Sequence, residues 1–256
     1  MTGVITASEP GWIGLFSGLS ERQFSKLIAV VRRRGGGAPT GGRAWALSLE
    51  DRVLMVAAYW RTDLTMRQLG PLFGVSKSTA DRVIDDIAPL LALAPLRRRH
   101  PAGTVLIVDG TLVPTHDRTI AASSKNYRYS TNHQVVIDAN TRLVVAVGRP
   151  LPGNRNDCRA FRESGVDRAV KNAPLLGDGG YPGCGAIIPH RKPRGGEITD
   201  EQEAENAVHR QARARVEHVF SRMKNWKVLR DCRLKGDGVH QAMLGIARLH
   251  NLALAG

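Results

Sequence analysis

The stretch Thr104-Val-Leu-Ile-Val-Asp-Gly-Thr111 decides how the second half of the chain is interpreted. Residues 104–108 are β-branched or apolar and carry no charge, which is typical of a short strand buried on both faces. Asp109 and Gly110 follow, so the pattern predicts a carboxylate at the end of a buried strand. Such a group needs a cation beside it, because an unpaired buried charge is very costly. The alternative is an ordinary Asp-Gly turn that only terminates the strand.

The composition favours a polyanionic partner. The 256 residues suffice for one large or two modest domains. Lys and Arg number 37 against 23 Asp and Glu, and the formal net charge of +14 favours nucleic acid, although a merely basic protein would share it. Cys158, Cys184 and Cys232 form no C-x-x-C pair, so neither a structural zinc site nor a disulfide framework is indicated. No apolar run reaches about 18 residues and no basic leader is present, so we expect no membrane association.

Two helices are predicted in the first 60 residues. Ser20 is the expected N-cap of the first, whose apolar side chains recur at helical spacing (Phe24, Leu27, Ile28 and Val31). The arginines and glycines at 32–37 end it, and residues 34–43 are predicted as a loop. The second helix is expected from near Ser48 to about Trp60. Residues 1–18 have no clear periodicity and are predicted to be irregular.

The segment from Thr65 to Ile84 has the spacing of a helix-turn-helix, which we place at about residues 65–88. Gly70 would let two helices cross closely, and Gly74 would permit the turn. Ser76 would cap the second helix, with Ala80, Val83, Ile84 and Ile87 facing the core. That helix would present four residues to a DNA groove: Lys77, Ser78, Thr79 and Arg82. Pro71 inside the first helix counts against this interpretation, and a plain helical hairpin is the alternative.

A change of pattern at residues 93–103 predicts a domain boundary, because proline, glycine and a basic run occur together there. We predict a helical DNA-binding region over 1–98 and a second domain over 103–256. In the latter, strands are expected at 104–108, 133–138, 143–147 and 174–178, with 186–189 as a candidate fifth. Helices are expected from Asn156 or Asp157 through Phe161 and Val170, and from Thr199 to about Trp226. The order β-β-β-α-β-α is that of a ribonuclease H-like mixed sheet, so the fold class is an all-α helix-turn-helix region followed by an α+β or α/β domain.

Three acidic residues are the candidate metal ligands of the second domain. Asp178 ends the fourth strand, which this topology puts beside the first, so Asp109 and Asp178 should meet at one edge of the sheet. Two such carboxylates repel unless a divalent cation lies between them; a second ordinary turn is the alternative. Glu217 lies in the long helix with Arg213 and Lys224 at spacings of four and seven residues, hence on one face. A plain ion pair between Glu217 and Arg213 is the alternative role.

The charge around Glu217 favours contact with a phosphate backbone. Residues 210–235 contain nine Lys or Arg and two acids, which suits a helix brought close to DNA. Three acids without a Cys/His cluster indicate oxygen ligation, hence Mg²⁺ or Mn²⁺ rather than zinc. Two such ions about 3.5–4 Å apart support phosphoryl transfer, so a two-ion site is expected.

Three sequence blocks resemble those of DDE-type insertion-sequence transposases. They are Val108-Asp-Gly-Thr111, Gly177-Asp-Gly-Gly-Tyr-Pro-Gly183 and R-x-x-x-E-H-V-F-x-R-x-K over residues 213–224. The resemblance covers about residues 45–254 and is nearest to the Insertion Sequence Five group, which has an N-terminal helix-turn-helix. Arg210 stands where that group has tyrosine, and Gly179 where many relatives have a basic residue. The block Gly153-Asn-Arg-Asn-Asp157 also looks like one of the family's, but we interpret Asp157 as a helix cap and leave it out of the site.

The resemblance implies a transposase that binds the ends of a mobile element and performs metal-dependent DNA cleavage and strand transfer. Asp109, Asp178 and Glu217 would be the catalytic and metal-binding triad for Mg²⁺ or Mn²⁺. Arg213 and Lys224 would contact DNA near the scissile phosphate, and Arg210 is counted with them. The partners would be double-stranded DNA, as element ends and target, and further copies of the chain on paired ends, in the bacterial cytoplasm at the nucleoid. The alternatives are a stand-alone or domesticated metal-dependent endonuclease and a non-enzymatic helix-turn-helix DNA-binding regulator.

Overall fold

Contacts within the chain divide it into two units, which are described separately. The computed structural model describes residues 3–37, 44–94, 100–171 and 173–256. The first unit comprises residues 1–93, 225–232 and 237–256, and the second comprises residues 94–224 and 233–236. Part of the predicted linker, residues 95–99, lies outside the described residues. The sequence-based division assigned everything after residue 103 to the second domain, whereas most of the chain after residue 224 groups with the first unit.

Five α-helices occur among the residues described up to 94: α1 (Pro10–Ser17), α2 (Glu21–Val31), α3 (Leu49–Thr62), α4 (Met66–Leu72) and α5 (Lys77–Ile87). A π-type turn over Arg32–Gly36 follows α2, and a 3-10 turn over Ala88–Leu91 follows α5. Helices α2 and α3 confirm the two predicted helices, and the side chains of Ser20 and Ser48 cap them. The loop predicted at 34–43 falls partly on residues 38–43, outside the described part.

Helix α1 shows that the prediction of an irregular N-terminus was wrong. Pro10 opens the helix, where its fixed backbone angle fits the first turn and its missing N–H is not needed. Gly18 closes it in the left-handed conformation, with φ of 71°. Proline and glycine usually interrupt a helical pattern in a sequence, but here Pro10 begins the helix and Gly18 ends it.

Helices α4 and α5 form the predicted helix-turn-helix. A Cβ on Gly70 would lie 2.7 Å from the carbonyl oxygen of Val75, so the close crossing requires glycine. Gly74 adopts φ of 70° in the turn. Ser76 caps α5 by accepting a hydrogen bond from the backbone N–H of Thr79, and the predicted core positions are buried (Ala80, Val83, Ile84 and Ile87). Pro71 lies in the last turn of α4, where its missing N–H removes one helical hydrogen bond without preventing the helix.

The described part of the second unit contains one mixed sheet. Its strands are β1 (Leu106–Pro114), β2 (Ser130–Asp138), β3 (Val144–Val147), β4 (Leu151–Pro152) and β5 (Leu175–Leu176). The order is β3-β2-β1-β5, and β4 also pairs with β2. Strands β1, β2 and β3 form the predicted antiparallel meander, and β5 runs parallel to β1 as expected of the fourth strand. The candidate fifth strand is reduced to a bridge between Leu176 and Ile187. This arrangement agrees with the predicted ribonuclease H-like fold.

Strand β1 extends beyond its predicted end. Asp109 pairs with Val135 and Gly110 with Gln134, and the strand continues to Pro114. Asp109 therefore lies inside a strand and not at its end, and the alternative of a strand-terminating Asp-Gly turn is excluded. The strand end was predicted wrongly because an Asp-Gly pair usually marks a turn.

The described residues of the second unit contain two α-helices, α6 (Asp157–Glu163) and α7 (Asp200–Met223). The helix predicted through residue 170 is shorter, because Gly165 adopts φ of 77° and a 3-10 turn follows over Val166–Val170. Asn156 caps α6 by accepting from the backbone N–H of Arg159, so Asp157 is not the cap. Helix α7 begins as predicted after Thr199, and its apolar stripe is buried at Val216, Val219 and Met223.

The last helix, α8 (Gly238–Ala255), belongs to the first unit. Gly245 lies so close to the indole ring of Trp60 that a Cβ there would overlap it. Arg248 donates hydrogen bonds to the carbonyl oxygens of Leu91 and Ala92. No helix in the described ranges is long and apolar enough to cross a membrane.

Candidate active site

Asp109 is held in the middle of β1 by two hydrogen bonds. Its Oδ1 accepts from the backbone N–H of Gly110 at 2.8 Å, and its Oδ2 accepts from Nη2 of Arg213 at 3.2 Å. Only 17% of the Asp109 side chain is exposed, and the same fraction of Arg213. Arg213 lies on α7, which packs against β1. Arg213 on the long helix is thus the cation beside Asp109. On sequence spacing alone, Glu217 was the alternative partner of this arginine.

Asp178 lies two residues after β5, the strand that runs parallel to β1. Its Oδ1 accepts a hydrogen bond from the backbone N–H of Gly180 at 2.7 Å. The side chain is half-buried, and its charge acts on Asp109. Of the two acids that were expected to converge, Asp109 therefore lies inside β1 and Asp178 in the segment that follows the neighbouring parallel strand.

A further carboxylate, that of Asp157 on the first turn of α6, reaches the same place. A Cβ on Gly180 would lie 2.8 Å from Asp178 Oδ1 and 3.4 Å from Asp157 Oδ2, so these two oxygens are within about 6 Å of each other. A Cβ on Gly110 would overlap Asp157 Oδ1 and lie 2.8 Å from Nε2 of Gln134. The glycines near Asp109 and Asp178 therefore make the space that Asp157 fills.

Buried amide side chains fix the position of Asp157. Asn132 Nδ2 and Gln134 Nε2, both on β2, donate to Asp157 Oδ1 at 3.2 and 3.1 Å. The Tyr181 hydroxyl donates in turn to Gln134 Oε1 at 2.6 Å, and neither Gln134 nor Tyr181 is exposed. Burial, and after it the charge of Asp157, raises the pKa of Tyr181, so its hydroxyl stays protonated and remains a donor. With Oδ1 held by both amides, Oδ2 is the oxygen of Asp157 that faces Gly180.

The electrostatics of the site favour an added positive charge. Burial raises the pKa of Asp109 to about 6; the Arg213 guanidinium and the Gly110 N–H oppose this shift, and the charges of Asp178 and Asp157 add to it. Asp178 and Asp157 are the carboxylates that act on Asp109 most strongly. Arg213 therefore does not offset the burial of Asp109, and the ionised form of this carboxyl remains unfavourable.

The donor set fits a hard divalent cation. Carboxylate oxygens are the ligands that Mg²⁺ and Mn²⁺ prefer, whereas zinc favours sulfur and imidazole nitrogen. Within the described ranges, no group of three or more His, Cys, Asp or Glu side chains is already arranged closely enough to hold a metal ion. Direct ligation of one ion by three of these carboxylates would therefore require the side chains to draw closer together.

The other predicted site residues on α7 lie along its length. Glu217 is exposed, one helical turn after Arg213. Arg210 is also exposed and pairs with Glu203 at 2.9 Å. Lys224 is half-buried and forms the C-cap of α7.

The predicted DNA-reading residues lie on the outer face of α5. Lys77, Ser78 and Arg82 are exposed, and Thr79 is half-buried with its hydroxyl 3.0 Å from that of Ser76. Lys77 lies 3.9 Å from Asp81, a spacing that leaves an exposed ion pair weak. The surface can therefore exchange its own contacts for phosphate or base contacts.

Comparison with known proteins gives the family. Residues 100–252 match the family described as "Transposase DDE domain", and residues 45–95 match "Helix-turn-helix of DDE superfamily endonuclease". The chain belongs to the DDE transposase family. This transposase is 69% identical, over 257 residues and 100% of both chains, to a putative transposase for insertion sequence element IS112 from Streptomyces albus G. It is 28% identical, over 83% of each chain, to a probable transposase for insertion sequence element IS702 from Microchaete diplosiphon.

Solved structures add a distant likeness. A piggyBac transposase in a synaptic complex with hairpin DNA is 11% identical, with a TM-score of 0.47, over 95% of this chain and 73% of that chain. The family matches themselves confirm the predicted transposase function, the helix-turn-helix and the type of fold. DDE transposases generally depend on divalent metal ions.

Sequence reasoning missed the residues that surround the two strand-borne acids of this transposase. Asp157 was interpreted as a cap, and the amides of Asn132 and Gln134 were not considered. One signal was available, because residues 130–134 are all polar and yet lie in a predicted or adjoining strand. All five are at most 5% exposed in the structure, and buried polar side chains need partners.

Proposed function

We propose that this DDE transposase belongs to the Insertion Sequence Five group and moves an insertion sequence by cutting DNA at its ends and joining the cut end to a target. The group assignment is supported by the spacing of Arg213, Glu217 and Lys224 on α7. In the proposed reaction, water first hydrolyses a phosphodiester at the element end. The freed 3′-hydroxyl then attacks a phosphodiester of the target in the same site.

The observation that carries this proposal is the convergence of charge on Asp109. Arg213 from α7 contacts the buried carboxylate of Asp109, and the charge of Asp178, just after the adjoining parallel strand, acts on it within a DDE domain. Burial raises the pKa of Asp109 to about 6, so the protein bears a cost for keeping an acid there. Such costs concentrate at functional sites.

Asp109, Asp178 and Glu217 are proposed as the metal-binding and catalytic triad. The first two are supported by the pairing of β1 with β5 and by the charge of Asp178 acting on Asp109, and Glu217 by its position one turn from Arg213 on the same helical face. Two Mg²⁺ or Mn²⁺ ions held by these carboxylates would activate an attacking oxygen and stabilise a leaving one. The protein's own share is to position the acids and to offer Arg213, Arg210 and Lys224 to the phosphates of the bound strand.

End recognition is proposed for the helix-turn-helix over residues 65–88. Lys77, Ser78, Thr79 and Arg82 would contact the DNA groove and its phosphates, because they lie on the outward side of α5. The functional boundary is proposed between a DNA-binding region over 1–98 and a catalytic domain over 103–256. It is supported by the family matches, which end at residue 95 and begin at residue 100.

The working form is proposed to be a homo-oligomer on paired element ends, acting in the bacterial cytoplasm on nucleoid DNA. Two ends must be cut and joined to one target, and a copy of the chain on each end supplies a site for each. The formal charge of +14 supports tight association with DNA.

The test replaces Asp109, Asp178 or Glu217 by the corresponding amide in the full chain. Binding to DNA that carries the flanking inverted repeats should persist in a gel-shift assay, while Mg²⁺-dependent cleavage should disappear. Asp138→Asn is the matched control, because Asp138 caps a turn at the far end of β2 and an amide keeps its acceptor oxygen. Cleavage that survives any of the three changes would remove that residue from the triad. A strand-transfer assay separates the transposase from a stand-alone nuclease, which cuts but does not join.

A further inference from the structure

Asp157 occupies a position that the proposed triad leaves unexplained. It is not the cap of α6, since Asn156 fills that role. Its carboxylate instead points back between β1 and the segment after β5, where it lies against Gly110 and Gly180. These glycines follow Asp109 by one residue and Asp178 by two.

Buried polar side chains orient the carboxylate of Asp157. Asn132 and Gln134 both donate to Oδ1, and Gln134 Nε2 also donates to Asn132 Oδ1 at 2.9 Å. Tyr181 holds the other end of Gln134. A helix-surface aspartate needs no such support, because water would satisfy it. A carboxylate whose Oδ1 is fixed by two amides presents Oδ2 in a defined direction, towards Gly180.

The space on the outer side of this carboxylate is open to a substrate. A cavity of about 630 Å³ is walled by residues that flank both acids, among them Asn156, Cys158, Gly179 and Gly180. Arg162 and the ion pair between Arg159 and Glu163 also line it. Residues next to Asp157 and residues next to Asp178 therefore face a common space.

We propose that Asp157 is an additional carboxylate ligand of the divalent-metal site, binding through Oδ2 beside Asp109 and Asp178. This inference rests on the proposed function, because it assigns a residue to the same metal site. The proposal explains the glycine that follows Asp109, because any Cβ at residue 110 would displace the Asp157 carboxylate. It also gives Gln134 and Tyr181 a role as positioning residues that act through Asp157.

The first test is Mn²⁺ binding to the full chain without DNA, measured by the loss of the free-ion paramagnetic resonance signal. Asp157→Asn keeps an oxygen for the two amide donors and removes the charge, so the chain should fold and bind end DNA as before. Its Mn²⁺ affinity should fall by about tenfold or more, and cleavage should fall with it. Glu201→Gln, on the exposed first turn of α7, is the matched control and should bind Mn²⁺ normally.

The outcomes separate this inference from the proposed function. Unchanged Mn²⁺ affinity in Asp157→Asn, together with weakened affinity in Asp109→Asn and Asp178→Asn, would overturn the role of Asp157 alone. Unchanged affinity in all three would overturn the metal site itself. Should Asp157→Asn fail to fold, the unaltered chain still decides: Fe²⁺ with ascorbate and peroxide should cut the backbone near residues 109, 157 and 178. A missing cut near residue 157 would refute the assignment.

Discussion

Replacing Asp109 by asparagine should make the metal-free protein more stable, although Asp109 is proposed to be essential for activity. The pKa of this carboxyl is about 6 in the folded chain against an ordinary value of 3.8. A carboxyl whose folded pKa is raised contributes stability that is fully present below the unfolded pKa and is lost as the pH rises through the folded pKa. At neutral pH the ionised group therefore opposes folding, and an amide removes that opposition.

The size of the effect follows from the two pKa values. Their difference of roughly two pH units corresponds to about 3 kcal/mol once Asp109 is fully ionised. This value already includes the attraction of Arg213, because that guanidinium contributes to the folded pKa. The side chain is only 17% exposed, so solvent screening reduces the effect little. Asp109→Asn should thus gain about 3 kcal/mol near pH 7.5 and about half as much near pH 5.

The assay is urea unfolding in EDTA, followed by far-ultraviolet circular dichroism and by tryptophan fluorescence. All four tryptophans belong to the first unit (Trp12, Trp45, Trp60 and Trp226), so the shift should be larger in circular dichroism than in fluorescence if the units unfold separately. Glu163→Gln should change stability by less than about 0.5 kcal/mol. A gain that is absent near pH 7.5, or that does not shrink as the pH falls, would refute the account of Asp109.

Three further changes test other parts of the structure. Gly70→Ala should destabilise the first unit by about 1–3 kcal/mol in thermal unfolding, because the new Cβ would lie 2.7 Å from a backbone oxygen. Gly11→Ala is the control and should not destabilise the unit, since no atom lies within 4 Å of its Cβ position. Equal effects would contradict the close crossing of the two helices. Cys158 and Cys184 have Sγ atoms 2.7 Å apart, so a mild disulfide oxidant should lower the number of titratable thiols from three to one. Dithiothreitol should restore all three. Three thiols that persist after oxidation would contradict the proximity of the two sulfur atoms. Arg82→Ala should weaken end binding and lower the slope of log affinity against log salt by about one; an unchanged slope would mean that Arg82 makes no phosphate contact.

Local chemistry predicted the helices well. Ser20, Ser76 and Thr199 each stand before a helix that starts on the next residue, because a side-chain oxygen there satisfies an exposed N–H group. The buried stripe of α7 followed from helical spacing alone. Gly70 and Gly74 predicted the helix-turn-helix because close crossing and a left-handed turn leave few residues to choose from.

The site was harder to predict, because its arrangement depends on groups far apart in the sequence. Asp109 was expected at a strand end since Gly110 follows it, yet that glycine serves a close approach by Asp157 and not a turn. Asp157 itself comes 48 residues after Asp109 in the printed sequence, and its place before a predicted helix favoured the role of a cap although the block around it resembles one of the family's. Only the pairing of β1 with β2 shows that Gln134 lies opposite Gly110.

The membership of α8 in the first unit affects how the transposase can be divided and how it folds. Trp60 packs on Gly245, and Arg248 holds the carbonyl groups that end the 3-10 turn after α5. A fragment that ends at residue 93 would expose the indole of Trp60 and lose those hydrogen bonds. The DNA-binding helices alone should therefore be insoluble unless α8 is joined to them through a short artificial loop. On the ribosome, the helices made first must likewise wait for the catalytic sheet to be synthesised before their own core can close.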